Sequence, residues 1–369
     1  METKKRIIVG MSGGVDSSVA AYLLKQQGHE VIGLFMKNWD ETQDNGVCTS
    51  TQDYSDVAAV CEKLDIPYYS INFTKEYWDN VFKDFLSDYA KGFTPNPDIL
   101  CNREIKFKAF YQEAMKLGAD MIATGHYCQT NAAGELLKGA DNNKDQSYFL
   151  HAVKADVLSK TLFPIGNLPK PEVRRIAKEL GLITSEKKDS TGICFIGERN
   201  FKNFLSQYIK KHQGYFEDLD GQRVGRHDGV PYYTLGQRKG LGLGGAGEAW
   251  FVVGKDVNRN VVQVVRGERH PALYADSLQA NEITWVGEAP TLPLKCKAKV
   301  RYRQKDQDCT VIATEKGLEV VFDQPQRAMT PGQAVVFYQE NICLGGAVIT
   351  EVGASYFTQQ KSLPEFVVV

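Results

Sequence analysis

The sequence predicts an α/β domain built on a parallel sheet, followed by two smaller all-β modules. Three observations carry that expectation. Through the first half, short apolar runs alternate with amphipathic stretches at helical spacing, the pattern of a helix-covered parallel sheet. The stretch "PKPEVRRIAKELGL" (residues 169–182) is the last long helical pattern. Beyond about Tyr208, glycine pairs, turns and short apolar runs take over, as in all-β chains. At 369 residues the chain is also too long for one ordinary core.

"KRIIVG" reads as the first strand. "VDSSVAAYLLKQQG" follows as a helix, with Val15, Val19, Tyr22 and Leu23 at helical spacing and Gly28 suited to its C-terminal stop. "EVIGLFMKNW" is a second strand with Met36 near its end. The helix "QDYSDVAAVCEKLDI" carries Val57, Val60, Cys61 and Leu64 on its apolar face, and "PYYSINF" is a third strand. "REIKFKAFYQEAMKLGA" is the next helix and feeds the strand "DMIATGHY". Val173, Ile176 and Leu180 share one face of the helix at 169–182. In the second half "GVPYYTLGQRKGLGLGGAGEAWFVVGKD", "NVVQVVRGE", "LEVVFDQP" and "QAVVFYQENICLGGAVIT" mix glycine pairs, turns and short apolar runs in an all-β pattern with hairpin spacing, and a break near 267–276 divides it into two modules. The expected domains are 1–207, 208–275 and 276–369.

The net charge of −1 argues against a generic nucleic-acid coat protein, though local basic patches remain open. No apolar stretch approaches the ~20 residues of a membrane helix. The opening "METKKRIIVG" lacks the apolar core of a signal peptide. A cytoplasmic protein without membrane attachment is expected. Eight cysteines, at 48, 61, 101, 128, 194, 296, 309 and 343, form no CxxC pair, so a zinc site is unsupported and no metal held by the protein alone is predicted.

The sharpest local signal is "GMSGGVDSS" at residues 10–18, between a strand and a helix. Backbone N–H groups and the helix dipole make such a corner an anion cradle. The Walker pattern fails, because Val15 and Asp16 stand where its last glycine and its lysine belong. What remains, Ser12 to Ser17, can hold a polyphosphate without a fixed counter-charge. Naked phosphate would repel Asp16, so magnesium between them is expected. The bland alternative is a serine-capped corner. The stretch resembles the signature of the N-type ATP pyrophosphatases, the PP-loop enzymes. That likeness implies cleavage of ATP to AMP and pyrophosphate, with adenylation of an oxygen that a nucleophile then displaces.

Two cysteines stand in unusual surroundings. Cys101 in "TPNPDILCNREIKF" reads as lying just before a helix, with Arg103 and Lys106 nearby; Cys194 in "KKDSTGICFIGERNF" follows a polar loop, flanked by Lys187, Lys188 and Arg199. Helix N-termini and cations raise a thiol's thiolate fraction. Either cysteine alone is more often structural. Together they point to redox or sulfur-transfer chemistry.

These motifs in this order, with "ATGHY", "DQSYFL" and "TLGQRKGLGLGG", resemble the bacterial tRNA-specific 2-thiouridylases over nearly the whole chain. The resemblance implies replacement of the 2-oxygen of a wobble uridine by sulfur. It implies ATP bound by Gly10, Met11, Ser12, Gly13, Gly14, Val15, Asp16 and Ser17, with Met36 and Gly125 on the adenosine. It places the target base against Asn96, Pro97 and Asp98, and a tRNA contact at Lys144, Asp145 and Gln146. Cys194 matches the cysteine that carries a persulfide from a sulfur-relay protein or cysteine desulfurase. Cys101 matches its partner, which either attacks the Cys194 persulfide or acts on freed sulfide. The fold implied is a Rossmann-like PP-loop domain, a central β module and a C-terminal β-barrel.

For the tRNA itself, "KCKAKVRYRQK" offers Lys295, Lys297, Lys299, Arg301, Arg303 and Lys305. Strand alternation would put all six on one face, ~6.6 Å apart. Arg301, Tyr302 and Arg303 are the expected contacts, and "GQRKG" at 236–240 is a weaker candidate. His126 reads as a packing or ribose-contact residue. Two rivals stay in view. Another PP-loop ligase would leave Cys194 without a role, and an RNA-binding sulfur carrier would leave SGGVDSS unexplained.

Overall fold

The computed structural model describes residues 3–39, 49–189 and 201–365. Its first sheet is built from β1 (Arg6–Met11), β2 (Glu30–Lys37), β3 (Tyr68–Asn72), β4 (Met121–Ala123) and, beyond the hairpin of β5 (Cys128–Thr130) and β6 (Leu136–Lys138), β7 (Thr161–Leu162). The order is β3-β2-β1-β4-β7, with every neighbouring pair parallel. Ile7, Ile8 and Val9 of β1 have no exposed surface, as a strand covered on both faces requires. The helix α1 (Val15–Gln26) packs Val19 and Leu24 into one core with Val57, Val60 and Cys61 of α2 (Thr49–Leu64) and with Val173 and Ala177 of the Lys170–Glu179 helix. From β1 the chain runs outward on one side to β2 and β3, and later returns on the other side as β4. The crevice beyond the C-terminal ends of β1 and β4 is therefore the topological switch point, where open parallel sheets bind ligands.

The second module is a four-stranded sheet of β8 (Gly214–Glu217), β9 (Arg223–His227), β10 (Trp250–Asp256) and β11 (Val261–Arg266), ordered β10-β11-β8-β9. The third contains β12 (Tyr274–Trp285), β13 (Leu294–Lys299), β14 (Gln307–Thr314), β15 (Gly317–Arg327), β16 (Ala334–Gln339) and β17 (Ile342–Val352). Pairing of β12 with β17 closes these six strands into a barrel, which removes the sheet edges. The start of β17 runs past β12 and pairs with β6 of the first domain, Ile342 opposite Leu137 and Cys343 opposite Leu136. Short hairpins that dock one domain onto another in this way leave no apolar periodicity to read.

Two expectations need correction. Cys101 does not precede its helix: a continuous helical run covers 97–116, beginning at Pro97. Asn96 is its cap, its side-chain oxygen accepting from the Asp98 amide at 3.1 Å, and proline at the first helical position needs no N–H partner. Cys101 lies in the second turn, where the run widens to π geometry over Cys101–Ala109. The basic stripe also fails as a strand face. β13 ends at Lys299, which turns inward toward Asp145 (3.5 Å) and Asp306 (3.7 Å). Arg301 is half-buried and donates to the carbonyls of Leu235 (3.3 Å) and Ala328 (2.8 Å). Only Lys295, Arg303 and Lys305 of the six stand exposed.

Candidate functional site

The loop at the end of β1 is built from its own hydroxyls and glycines. Gly13 has φ +72°, a left-handed conformation that favours glycine. A Cβ there would lie 2.7 Å from the Asp53 carbonyl oxygen. The Ser17 hydroxyl meets the Ser12 amide and hydroxyl, each at 3.2 Å, and Ser18 donates to the Gly14 carbonyl at 2.8 Å. Gly14 stands at the helix start in extended geometry, and no side chain caps the first amides of α1. Those donors face the crevice end of the helix, where an anion is best stabilised. Met11 and Val15 are buried beneath the loop.

Sequence-distant groups complete the cradle. Gly125, just after β4, abuts the loop so closely that a Cβ would sit 2.6 Å from the Ser17 nitrogen. The Met36 methyl and the Phe110 ring lie 3.3 and 3.5 Å from where a Gly10 Cβ would be. Strand ends β1, β2 and β4 thus converge on one place with the Cys101 helix. Asp16 does not stand open. Both its oxygens accept from Lys170 Nζ at 2.8 Å, and the Tyr127 hydroxyl donates to it at 2.7 Å. Burial and the neighbouring Asp16 push the Tyr127 hydroxyl's pKa up, so it stays a donor.

Lys170 also reaches Asp189 at 2.8 Å, and Asp189 gathers Arg174 (2.7 Å) and Lys144 (2.6 Å) as well. Burial opposes the Asp189 charge, but Lys144 and Lys170 overcome it and hold its carboxyl down at about 2. Lys187 ties the Gly13 carbonyl (2.9 Å) to Asp53 (2.8 Å) and Asp56 (2.5 Å) of α2. Among the described residues Lys144, Lys170, Arg174 and Lys187 thus pair with Asp16, Asp53, Asp56 and Asp189 about the loop. None of Lys170, Arg174, Lys187 or Asp189 was picked out from the sequence as a loop partner. The only hint was the Pro-Lys-Pro start of the last long helix. Cys194 falls outside the described residues, although Asp189 stands five positions before it.

Cys101 is fully buried in the helix that joins this crevice. One turn on, Lys106 Nζ lies 3.4 Å from His126 Nε2, while His126 Nδ1 meets the Thr124 hydroxyl at 2.7 Å. Burial, then the Lys106 charge, drives the imidazole's pKa well down, so His126 is neutral and packs between Phe107 and Phe163. Two buried amides keep unspent hydrogen-bonding capacity near these elements. Among the described residues Asn38, one residue past β2, has no partner for either side-chain end, and Asn102, beside Cys101, has none for its oxygen. Such orphans are rare in interiors, and a base or nucleotide edge could supply what they lack.

The segment before Asn96 is held by both β modules. Thr94 donates its N–H to the Pro331 carbonyl at 3.0 Å, and Lys255 reaches its hydroxyl at 3.4 Å. Nearby, Asn142, Asn143, Lys144, Asp145, Tyr302 and Arg303 line a cleft of about 250 Å³. Two segments expected to touch tRNA therefore meet. Within them Asp145 is structural, accepting from the Gly139 and Ser147 amides at 3.1 Å each. Gln146 accepts from the Tyr127 amide at 2.9 Å. Tyr302 packs on Phe149, with ring centroids 4.4 Å apart. Among the described residues no cluster of three metal-ligating side chains exists.

Three family models match consecutive segments: a tRNA methyl transferase HUP domain at 5–198, a tRNA methyl transferase PRC-barrel domain at 202–266 and an aminomethyltransferase beta-barrel domain at 275–349. The chain is 59% identical over 369 residues to the tRNA-specific 2-thiouridylase MnmA of Protochlamydia amoebophila, covering 99% of this chain and 98% of that one. It is 60% identical over 352 residues to one from Geobacillus kaustophilus, covering 94% and 95%. With that of Staphylococcus carnosus it shares 59% over 353 residues, again 94% and 95%.

Proposed function

The chain belongs to the tRNA-specific 2-thiouridylase family, and from that premise we propose that it adenylates the 2-oxygen of a wobble uridine in tRNA and replaces it with sulfur. The observation that carries this reading is the Lys170 ammonium, which bridges Asp16 of the phosphate loop and Asp189 at the threshold of the Cys194 segment. One cation thereby couples the phosphate loop to the chain five positions before Cys194.

In this reading the triphosphate lies against the Ser12–Ser17 backbone and the open end of α1. Asp16, whose oxygens are held by Lys170 and Tyr127, would have to exchange the ammonium to hold a magnesium that arrives with the phosphates; Mg²⁺ commonly takes one or two carboxylates and keeps its other sites for water and phosphate. Bound there, the ion would neutralise phosphate charge. The uridine 2-oxygen attacks the α-phosphorus and pyrophosphate leaves, which turns a poor urea-like leaving oxygen into AMP. The terminal sulfur of a Cys194 persulfide adds at C2 and AMP departs. Cys101 then attacks the Cys194 sulfur, freeing the 2-thiouridine and leaving a disulfide that a thiol reductant reopens. In the alternative, Cys101 assists sulfide already released. Asn96 to Asp98 present the base, and Lys144 with Arg303 offers charge to the tRNA backbone. The persulfide comes from a sulfur-relay protein or cysteine desulfurase, and the work is done in the cytoplasm, where tRNA is.

Methyl transfer, the activity in two of the matching model descriptions, would give an ATP phosphate cradle nothing to do. The experiment incubates Cys194→Ser with tRNA, ATP and a persulfide donor. tRNA-dependent pyrophosphate release without 2-thiouridine is expected. Normal thiolation by this variant would remove Cys194 from the mechanism.

A further inference from the structure

Two of the eight cysteines, scattered along the chain and unused by the chemistry above, become neighbours when the barrel closes. Cys296 on β13 and Cys309 on β14 are direct cross-strand partners, and their sulfurs lie 3.8 Å apart. Residues opposite each other in an antiparallel pair have Cα atoms ~4.5–5.5 Å apart, inside the ~4.4–6.8 Å span that a disulfide bridges. The backbone register therefore already suits a bond. A small rotation about the two side chains would close the remaining gap between the sulfurs.

The two thiols are not equivalent. Cys296 is half-buried and reachable, whereas Cys309 is 3% exposed. The Cys309 S–H, directed at Cys296, stabilises a thiolate there and lowers its pKa despite burial. The same hydrogen bond, then burial and nearby Asp323 and Asp308, keep the proton on Cys309. One thiol is accessible and the easier to ionise; the other is sheltered and poised behind it. That is the division of labour of an attacking and a resolving cysteine.

We propose that Cys296 and Cys309 form a redox-active dithiol site that exchanges with low-molecular-weight disulfides of the oxidised-glutathione class. The Cys296 thiolate attacks one sulfur of the disulfide RSSR, forming a Cys296–S–SR bond and expelling RS⁻. Cys309, losing its proton, attacks the Cys296 sulfur and expels the second RS⁻. Two protein thiols lose two electrons to RSSR, and their protons leave with two RSH. The bond staples the β13–β14 hairpin, whose connecting turn carries Tyr302 and Arg303 to the cleft beside Lys144.

The full-length protein is equilibrated with oxidised glutathione, quenched by alkylation and analysed by peptide mass mapping, which separates this pair from Cys101 and Cys194. The expected result is a peptide pair linked through Cys296 and Cys309, with both residues lost to alkylation and recovered after dithiothreitol. Cys309→Ser should trap glutathione on Cys296, whereas Cys296→Ser should leave Cys309 reduced and unadducted. Both cysteines remaining alkylatable in the oxidised wild-type protein would overturn the proposal. So would glutathione accumulating on Cys309 in Cys296→Ser, because it would deny Cys296 the attacking role.

Discussion

Replacing Lys170 by methionine removes the ammonium while keeping most of the apolar stem, so the change isolates charge. The Lys170 side chain is 10% exposed, against 31% for Asp16 and 30% for Asp189. In the variant Asp189 retains Arg174 and Lys144, but Asp16 keeps only the Tyr127 hydroxyl among its described partners. The penalty therefore falls on Asp16. A fully buried carboxylate that loses its cation costs about 3–5 kcal/mol, and partial exposure brings the expectation down to about 2 kcal/mol. Urea titration with linear extrapolation measures it. Asp16→Asn placed on top should return about 1–2 kcal/mol, because the stranded charge is then gone. In AMP formation, losing one preorganised cation beside the phosphates should cost about 100-fold, with tRNA affinity retained. Stability effects that add to within about 0.5 kcal/mol, together with wild-type AMP formation by Lys170→Met, would refute the bridging role.

Three further outcomes are expected. Gly125→Ala drives a Cβ to 2.6 Å from the Ser17 nitrogen and 2.7 Å from the Asp16 carbonyl carbon, both backbone atoms; ATP affinity by calorimetry should fall at least about tenfold, or about 1.4 kcal/mol, and an unchanged Kd would show that Gly125 is not needed to shape the loop. Arg303→Glu should weaken tRNA binding and reduce its salt slope by about 1, whereas Arg301→Met should cost about 1–3 kcal/mol of stability through its two carbonyl bonds; the opposite pattern would restore the single basic face. Burial depresses the Lys255 ammonium to about 8 from 10.5. Between those values the unfolded chain holds the proton and the folded one does not, so this group makes stability rise with pH across about 8 to 10.5 and adds no slope below. Lys255→Met should remove that rise from urea midpoints, and an identical pH slope in both proteins would contradict the assignment.

The parts of the site that chain neighbours build were readable from the residues. β1, the turn after it and the start of α1 form one contiguous stretch, so SGGVDSS disclosed its place in the fold. The partners of that loop were not readable, because Lys170 lies 154 residues from Asp16 and Lys187 lies 174 residues from Gly13. The basic stripe shows the same limit in reverse. Alternation predicted six outward cations, but Lys299 meets Asp145 and Asp306, and Arg301 meets carbonyls brought by the central module and the barrel. Cys101 was placed before its helix because the apolar periodicity strengthens only after Arg103. Asn96 and Pro97, ahead of that periodicity, are the cap and the first helical residue. Cysteines 296 and 309 looked scattered until strand register made them opposite.

The most direct test of the central claim is nucleoside mass analysis of unmodified tRNA after incubation with the protein, ATP, magnesium and a persulfide source. The account predicts 2-thiouridine that appears only with ATP, together with AMP. Absence of both products, with a donor of demonstrated competence and tRNA of the right wobble base, would contradict it.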